Sequence, residues 1–192
     1  MALISPSDQQ NLRESFAEMT RAVRLLFFTR ALDCDTCPQT RRILDELPPL
    51  SDQITIEEVN FILDGDTARQ YGVDRAPAVA IQYQGSQGSR GSQGSPGSAG
   101  SEGSSSHFEN FANPNPANLE NPANRANPAN PANRWVDSRI RFLGAPAGYE
   151  FISLVQAVLL AGGRRSILSE ESRGRIAAVD RPVTMHVFTT PT

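Results

Sequence analysis

The sequence predicts an α/β domain in which a mixed central sheet is covered by helices. Three observations carry that expectation. Apolar stretches of strand length, "VRLLFFT" at 23–29, "ITIEEVNFI" at 54–62 and "APAVAIQY" at 76–83, alternate with amphipathic stretches of helix length. The two cysteines of the chain, Cys34 and Cys37, fall between the first of these strands and the helix after it. A fourth strand and a further helix follow a long biased insert, so the insert interrupts the pattern without ending it.

The elements follow in order. Ser7 to Met19 reads as a helix, with Leu12, Phe16 and Met19 at helical spacing, Ser7 as N-cap and Gln10 completing a capping box. "VRLLFFT" is a continuous apolar run, as expected of a strand buried on both faces. "PQTRRILDEL" opens a helix near Cys37, repeats Ile43, Leu44 and Leu47 on one face, and is stopped by Pro48 and Pro49. "ITIEEVNFI" alternates as a second strand. "DGDTARQYGV" is a short helix closed by Gly72, and "APAVAIQY" is the third strand.

Residues 85–105 then repeat Gly-Ser-x with period three, and residues 113–134 repeat Asn-Pro-Ala. Only Pro96 sits among the glycine triplets, too little imino acid for a triple helix, so the insert 85–134 is read as flexible, disordered low-complexity chain. "DSRIRFLGAP" is the fourth strand and "AGYEFISLVQAVLLAGG" a helix ended by Gly162 and Gly163. The insert thus sits between consecutive strands, at the tip of a hairpin. Closure entropy grows only logarithmically with loop length, so such an insertion is tolerable.

Composition narrows the function. A net charge of −3 argues against nucleic acid or an anionic membrane as an obligate partner. All 18 basic residues are Arg, which excludes a Schiff-base or P-loop lysine. The first residues lack a basic stretch followed by an apolar run, and "FISLVQAVLLAG" is too short to span a bilayer. The chain is therefore expected to be soluble and cytoplasmic. In a reducing compartment a close cysteine pair is more often catalytic or metal-binding than structural.

A Cys-x-x-Cys at a strand-to-helix junction has a definite chemistry. Backbone N–H groups at the helix N-terminus stabilise a thiolate on the first cysteine, and the second lies within bonding reach on the first turn. Cys34 is the expected nucleophile and Cys37 the resolving thiol. Pro38 fits a first turn, where a missing N–H costs little. Asp33 and Asp35 place like charge around Cys34 and disfavour its thiolate, which predicts a reducing couple. Zinc ordinarily takes four N or S ligands, and apart from this pair the chain offers only His107 and His186, so no metal is expected. A structural or chance pair is the other alternative to redox use. Pro77 lies forty residues after Cys37 at the start of a strand. In an element order of this kind its loop packs opposite the pair, where a cis bond presents the backbone of Ala76 to an extended substrate. An ordinary trans proline opening a strand is the alternative, and the cysteine pair favours cis.

The chain also contains an echo of itself. "FAEMTRAVRLLFFTR" from Phe16 aligns with "IAAVDRPVTMHVFTT" from Ile176 at a constant offset of 160, matching Arg21 with Arg181, Val23 with Val183, and Phe28-Thr29 with Phe188-Thr189. "LSEESRGRIAAV" reads as a helix capped by Ser169, and "PVTMHVF" as the strand after it. On that offset the counterpart of Cys34 falls two residues past Thr192.

On "FFTRALDCDTC", "YGVDRAPAVAI", "RIRFLGAPAGYEFISLVQAVL" and the repeated helix and strand, the chain resembles thioredoxin-fold proteins. It resembles most the glutaredoxin-like protein disulfide oxidoreductases, two fused thioredoxin units that are similar to the N-terminal region of the alkyl hydroperoxide reductase flavoprotein subunit. The resemblance implies a thioredoxin-like unit at 1–84 and 135–165, and the first helix and strand of a second, truncated unit at 166–192. It implies dithiol–disulfide exchange by Cys34 and Cys37 in cell redox homeostasis, with Pro77 in the substrate loop. It implies no cofactor, and as partners disulfide-bonded proteins and an electron donor. The buried acid that many thioredoxins carry before the motif is absent, since the strand reads "LLFFT". In the tandem family the second unit's pair often carries the main activity, so a non-catalytic docking module is the alternative function. The incomplete unit would also leave an apolar edge for self-association.

Overall fold

The computed structural model describes residues 4–85 and 134–189. Along the chain the elements are α1 (Pro6–Phe16), β1 (Val23–Thr29), α2 (Cys37–Asp45), a 3₁₀ turn (Pro48–Leu50), β2 (Ile54–Asn60), α3 (Gly65–Gln70), β3 (Ala78–Gln84), β4 (Trp135–Leu143), α4 (Tyr149–Ala161) and α5 (Glu170–Ala177). The strands form one mixed sheet in the order β2-β1-β3-β4. β1 runs parallel to β2, which requires a crossover, and α2 supplies it. β1 is antiparallel to β3, and β3 to β4.

The pleat sends alternate β1 side chains to opposite faces, and both faces are covered. Val23, Leu25 and Phe27 join Ile54, Val79 and Ile81 beneath Phe16 of α1, Leu44 of α2 and Leu154 and Val158 of α4. Leu26 and Phe28 join Val59, Ala78 and Ala80 beneath Ala68, Tyr71 and Val73, in and just after α3. That double coverage is why the strand reads as an unbroken apolar run.

The entry to β1 is tied to the end of α4. The amides of Thr20 and Arg21 donate to Gly162 O at 2.8 and 3.2 Å, and Arg21 Nε donates to Ala161 O at 2.8 Å. Gly163 follows with φ +98°, and a Cβ there would collide with Thr20 Oγ1, so only glycine fits.

One polar group penetrates the second face. Gln82 is fully buried and satisfied on both sides: its Oε1 accepts from Arg24 Nε at 2.8 Å, and its Nε2 donates to the Tyr71 hydroxyl. Arg24 also pairs with Glu57 at 2.5 Å, and Arg141 ties the Tyr71 carbonyl (2.8 Å) to Asp137 (2.6 Å).

Several boundaries differ from the sequence expectation. The cap of α1 is Ser5, not Ser7: Ser5 Oγ accepts from the Asp8 amide at 3.2 Å, and Pro6 occupies the first turn, where it needs no N–H. Gln10 closes no capping box and donates instead to Glu14 at 2.9 Å. The helix stops at Phe16, short of Met19. β2 ends at Asn60 rather than Ile62, because Asn60 Oδ1 accepts from the amides of both Ile62 and Leu63 at 3.0 Å and turns the chain. β4 begins at Trp135, paired with Gln84, and reaches Leu143 across an irregularity opposite Ala80–Gln82 where Arg139 takes φ +62°.

The largest correction concerns the echo. Its helix forms as α5, with Ser169 Oγ accepting from the Ser172 amide at 3.1 Å. Its strand does not form. Residues 182–189 join no ladder, and Val183, Met185, Val187 and Phe188 are exposed. Strand propensity without a partner edge secures no hydrogen bonds. The Gly-Ser-x and Asn-Pro-Ala repeats lie outside the described residues, but their stems are the ends of an antiparallel pair, closed by the Gly85 amide on Arg134 O at 2.8 Å.

Two outcomes are expected from this architecture. Replacing residues 86–133 by Asn-Gly keeps the β3–β4 register and stabilises the fold by about 2–3 kcal/mol through lower closure entropy, read by urea denaturation. Burial, with Asp137 close by, pushes the Tyr71 phenol up to about 12. An unfolded tyrosine ionises near pH ~10. Between these values the unfolded chain holds fewer protons than the folded one, so stability is retained below pH ~10 and falls as pH rises toward 12, by about 2–3 kcal/mol. Tyr71→Phe abolishes that alkaline decline, while costing about 1–3 kcal/mol at neutral pH by stranding the Gln82 amide.

Candidate functional site

β1 ends at Thr29 and α2 begins at Cys37, and the loop between them carries Cys34. Cys34 and Cys37 are joined as a disulfide, with Cα atoms 5.4 Å apart. The Cys37 amide donates to Cys34 O at 3.3 Å, closing a turn that brings the two side chains together. The two residues differ in burial. Cys37 is 5% exposed and belongs to the main apolar cluster, whereas Cys34 lies partly exposed on its rim. Of the pair, Cys34 is the one an incoming group can reach.

The helix start is arranged around the pair. Pro38 sits in the first turn, and Thr36 at the cap position makes no side-chain hydrogen bond to it. The positive end of the α2 dipole is therefore left to whatever group lies before it. The turn is held from behind by Thr40, which is fully buried and whose amide and Oγ1 both donate to Thr36 O at 2.9 Å.

The start of β3 comes to the same end of the sheet. Phe28 pairs with Ala78, so Pro77 emerges beside Thr29, at the edge from which the cysteine loop departs. The Ala76–Pro77 peptide is cis, and Pro77 O accepts from the Gly144 amide at 2.9 Å. Ala76 and Cys34 pack against the same apolar cluster that contains Cys37. Asp33 and Asp35 are exposed on the loop around Cys34. Just before Ala76, Arg75 grips Asp74 in a bidentate pair at 2.8 and 2.9 Å, and its hydrogen bond holds that carboxyl below the usual range.

One residue beside the site carried no signal in the sequence. Arg30 directly follows the apolar run, and its Nη2 donates to Asp33 O, where Asp33 takes a left-handed φ of +54°. An arginine after a strand is too common a pattern to mark it. Among the described residues no group of three or more His, Cys, Asp or Glu could hold a metal ion, and His186 lies beside Phe188 in the exposed C-terminal segment.

No family model matches the chain, and no curated protein matches it. Solved structures do. The alkylhydroperoxide reductase AhpF of Enterococcus faecalis, in a mutant form, superposes with a TM-score of 0.60 at 22% identity, covering 91% of this chain and 60% of that one. The fold is thioredoxin-like. The NTD_N/C domain of AhpF from the same organism gives 0.58 at 21% identity, covering 93% of this chain and 62% of its own. A protein disulfide oxidoreductase from Aeropyrum pernix gives 0.55 at 18%, covering 91% and 54%. The chain thus spans between 54% and 62% of the length of these structures.

The buried hydroxyl behind the pair has a measurable role. Thr40→Val keeps the volume but removes the side-chain bond to Thr36 O, and is expected to cost about 1 kcal/mol of stability in urea denaturation.

Proposed function

We propose that the chain is a thiol–disulfide oxidoreductase in which Cys34 attacks and Cys37 resolves. The observation that carries this is the asymmetry of the pair: bonded to one another at a strand-to-helix junction, with one residue partly exposed and the other buried. In the reduced state the Cys34 thiolate attacks one sulfur of a substrate disulfide, forming a mixed disulfide and expelling the other sulfur as a thiolate. Cys37 then gives up its proton and attacks Cys34 Sγ, releasing the second substrate thiolate and closing the Cys34–Cys37 bond. Two electrons and two protons pass to the substrate. A dithiol donor restores the pair by the reverse exchange, and no cofactor takes part.

Ala76 and Pro77 supply the substrate contact in this reading, with an extended segment lying along the backbone of Ala76 beside the pair. Asp33 and Asp35 disfavour the Cys34 thiolate and bias the couple toward reduction of substrates. The partners are disulfide-bonded proteins and a dithiol donor in the cytoplasm, where the chain serves redox homeostasis. No described helix is long and apolar enough to cross a membrane. The exposed Val183, Met185, Val187 and Phe188 after α5 give self-association a surface. The name of the Aeropyrum pernix structure, protein disulfide oxidoreductase, points to the same chemistry.

With a disulfide-bonded protein as substrate and dithiothreitol as donor, Cys34→Ser lowers turnover to the uncatalysed level. Cys37→Ser accumulates a mixed disulfide through Cys34, visible by non-reducing electrophoresis. Full activity in Cys34→Ser would falsify the assignment, and biological function surviving loss of both cysteines would favour a docking module instead.

A further inference from the structure

We propose that Arg30 is a positioning residue for Cys34, holding the loop before the cysteine pair and placing a positive charge one peptide away from the thiol. The inference rests on the redox reading above and deepens it. Arg30 is the first residue after β1 and is half-buried. Long cationic side chains ordinarily keep their heads in water. This one folds back over its own loop: Nη2 donates to Asp33 O, and Nε is shielded from solvent. The head is thereby held against the loop by its bond to Asp33 O.

What it serves is the backbone before Cys34. Leu32, Asp33, Asp35 and Thr36 are exposed, Thr36 contributes no cap, and Asp33 adopts φ +54°, a conformation open to Asp but unusual for most residues. Packing on the outer side therefore does little to hold residues 32 and 33, and the bond from Arg30 anchors them ahead of Cys34, which the disulfide holds, and Thr36, which Thr40 holds. The carbonyl that Arg30 grips belongs to the same peptide as the Cys34 N–H. A charged donor polarises that peptide and brings positive charge to the peptide that carries the Cys34 N–H. Cations near a cysteine favour its thiolate, so Arg30 opposes the carboxylates of Asp33 and Asp35. The reduced pair, in which Cys34 bears the negative charge, is stabilised relative to the disulfide.

The full chain, Arg30→Gln and Arg30→Lys are each reduced with dithiothreitol, freed of it, and alkylated with iodoacetamide between pH ~5 and ~10, the range that brackets thiol ionisation. Each is also equilibrated in glutathione buffers of fixed ratio. For Arg30→Gln the alkylation rate near neutrality falls about tenfold, its pH profile moves up by about one pH unit, and the reduced fraction drops. Arg30→Lys recovers most of the wild-type profile. Urea midpoints identify any variant that fails to fold, and Arg30→Met, which keeps the apolar stem, then replaces Gln. A folded Gln or Met variant with an unchanged profile and unchanged reduced fraction overturns the inference. Because alkylation is read without a disulfide substrate, a wild-type chain that alkylates but transfers no electrons sinks the redox reading alone. A wild-type chain that transfers electrons, beside a folded Arg30→Gln chain whose alkylation profile and reduced fraction are unchanged, sinks only this inference.

Discussion

The structure depends on one strand being buried on both faces. β1 lies inside the sheet with β2 on one side and β3 on the other, and its side chains reach both apolar clusters. Every element that shapes the site takes its position from that strand. Its parallel partner calls for the crossover that contains α2, and its antiparallel partner delivers Ala76 and Pro77 to its C-terminal end. The cysteine pair sits where these two consequences of strand pairing meet.

The pair itself joins a rigid element to an exposed loop. Cys37 is part of the core, fixed by α2 and by the buried Thr40 behind it, while Cys34 is carried by a loop with little packing of its own. Thiol–disulfide exchange needs that difference: an approachable sulfur that can form a bond to a partner, and a sheltered one that can end it. The N-terminal end of α2 opens at Cys37, and Asp33 and Asp35 stand exposed on the loop around Cys34.

Far from the pair, the second face of the sheet carries the Arg24–Gln82–Tyr71–Arg141 network. A glutamine in a buried strand is costly unless all its groups are bonded, and here both ends are. The network fixes the register of β3 against β1 near the stems of the insert. The tie between Gly162 and Thr20–Arg21 locks the same end of β1 to α4. With that end secured, residues 86–133 can be inserted in the hairpin without disturbing the cysteine end.

The apolar run at 23–29, the helix after Cys37, the strand after Pro77 and the hairpin around the insert were all legible in the sequence, because each is written in local periodicity or turn chemistry. So was the cysteine pair, as two residues at a fixed spacing on a helix start. Caps and strand ends were less legible: Ser5 and Ser7 are both serines near a helix start, and only the Asp8 amide selects between them. The strand expected at 182–188 shows the limit most clearly, since its alternation is sound but a strand exists only where an edge accepts it. Tertiary structure alone decided that Cys37 is buried while Cys34 stays partly exposed, and that Arg30 turns toward Asp33. Each of these depends on which chain segments the sheet brings side by side, and no local pattern encodes that.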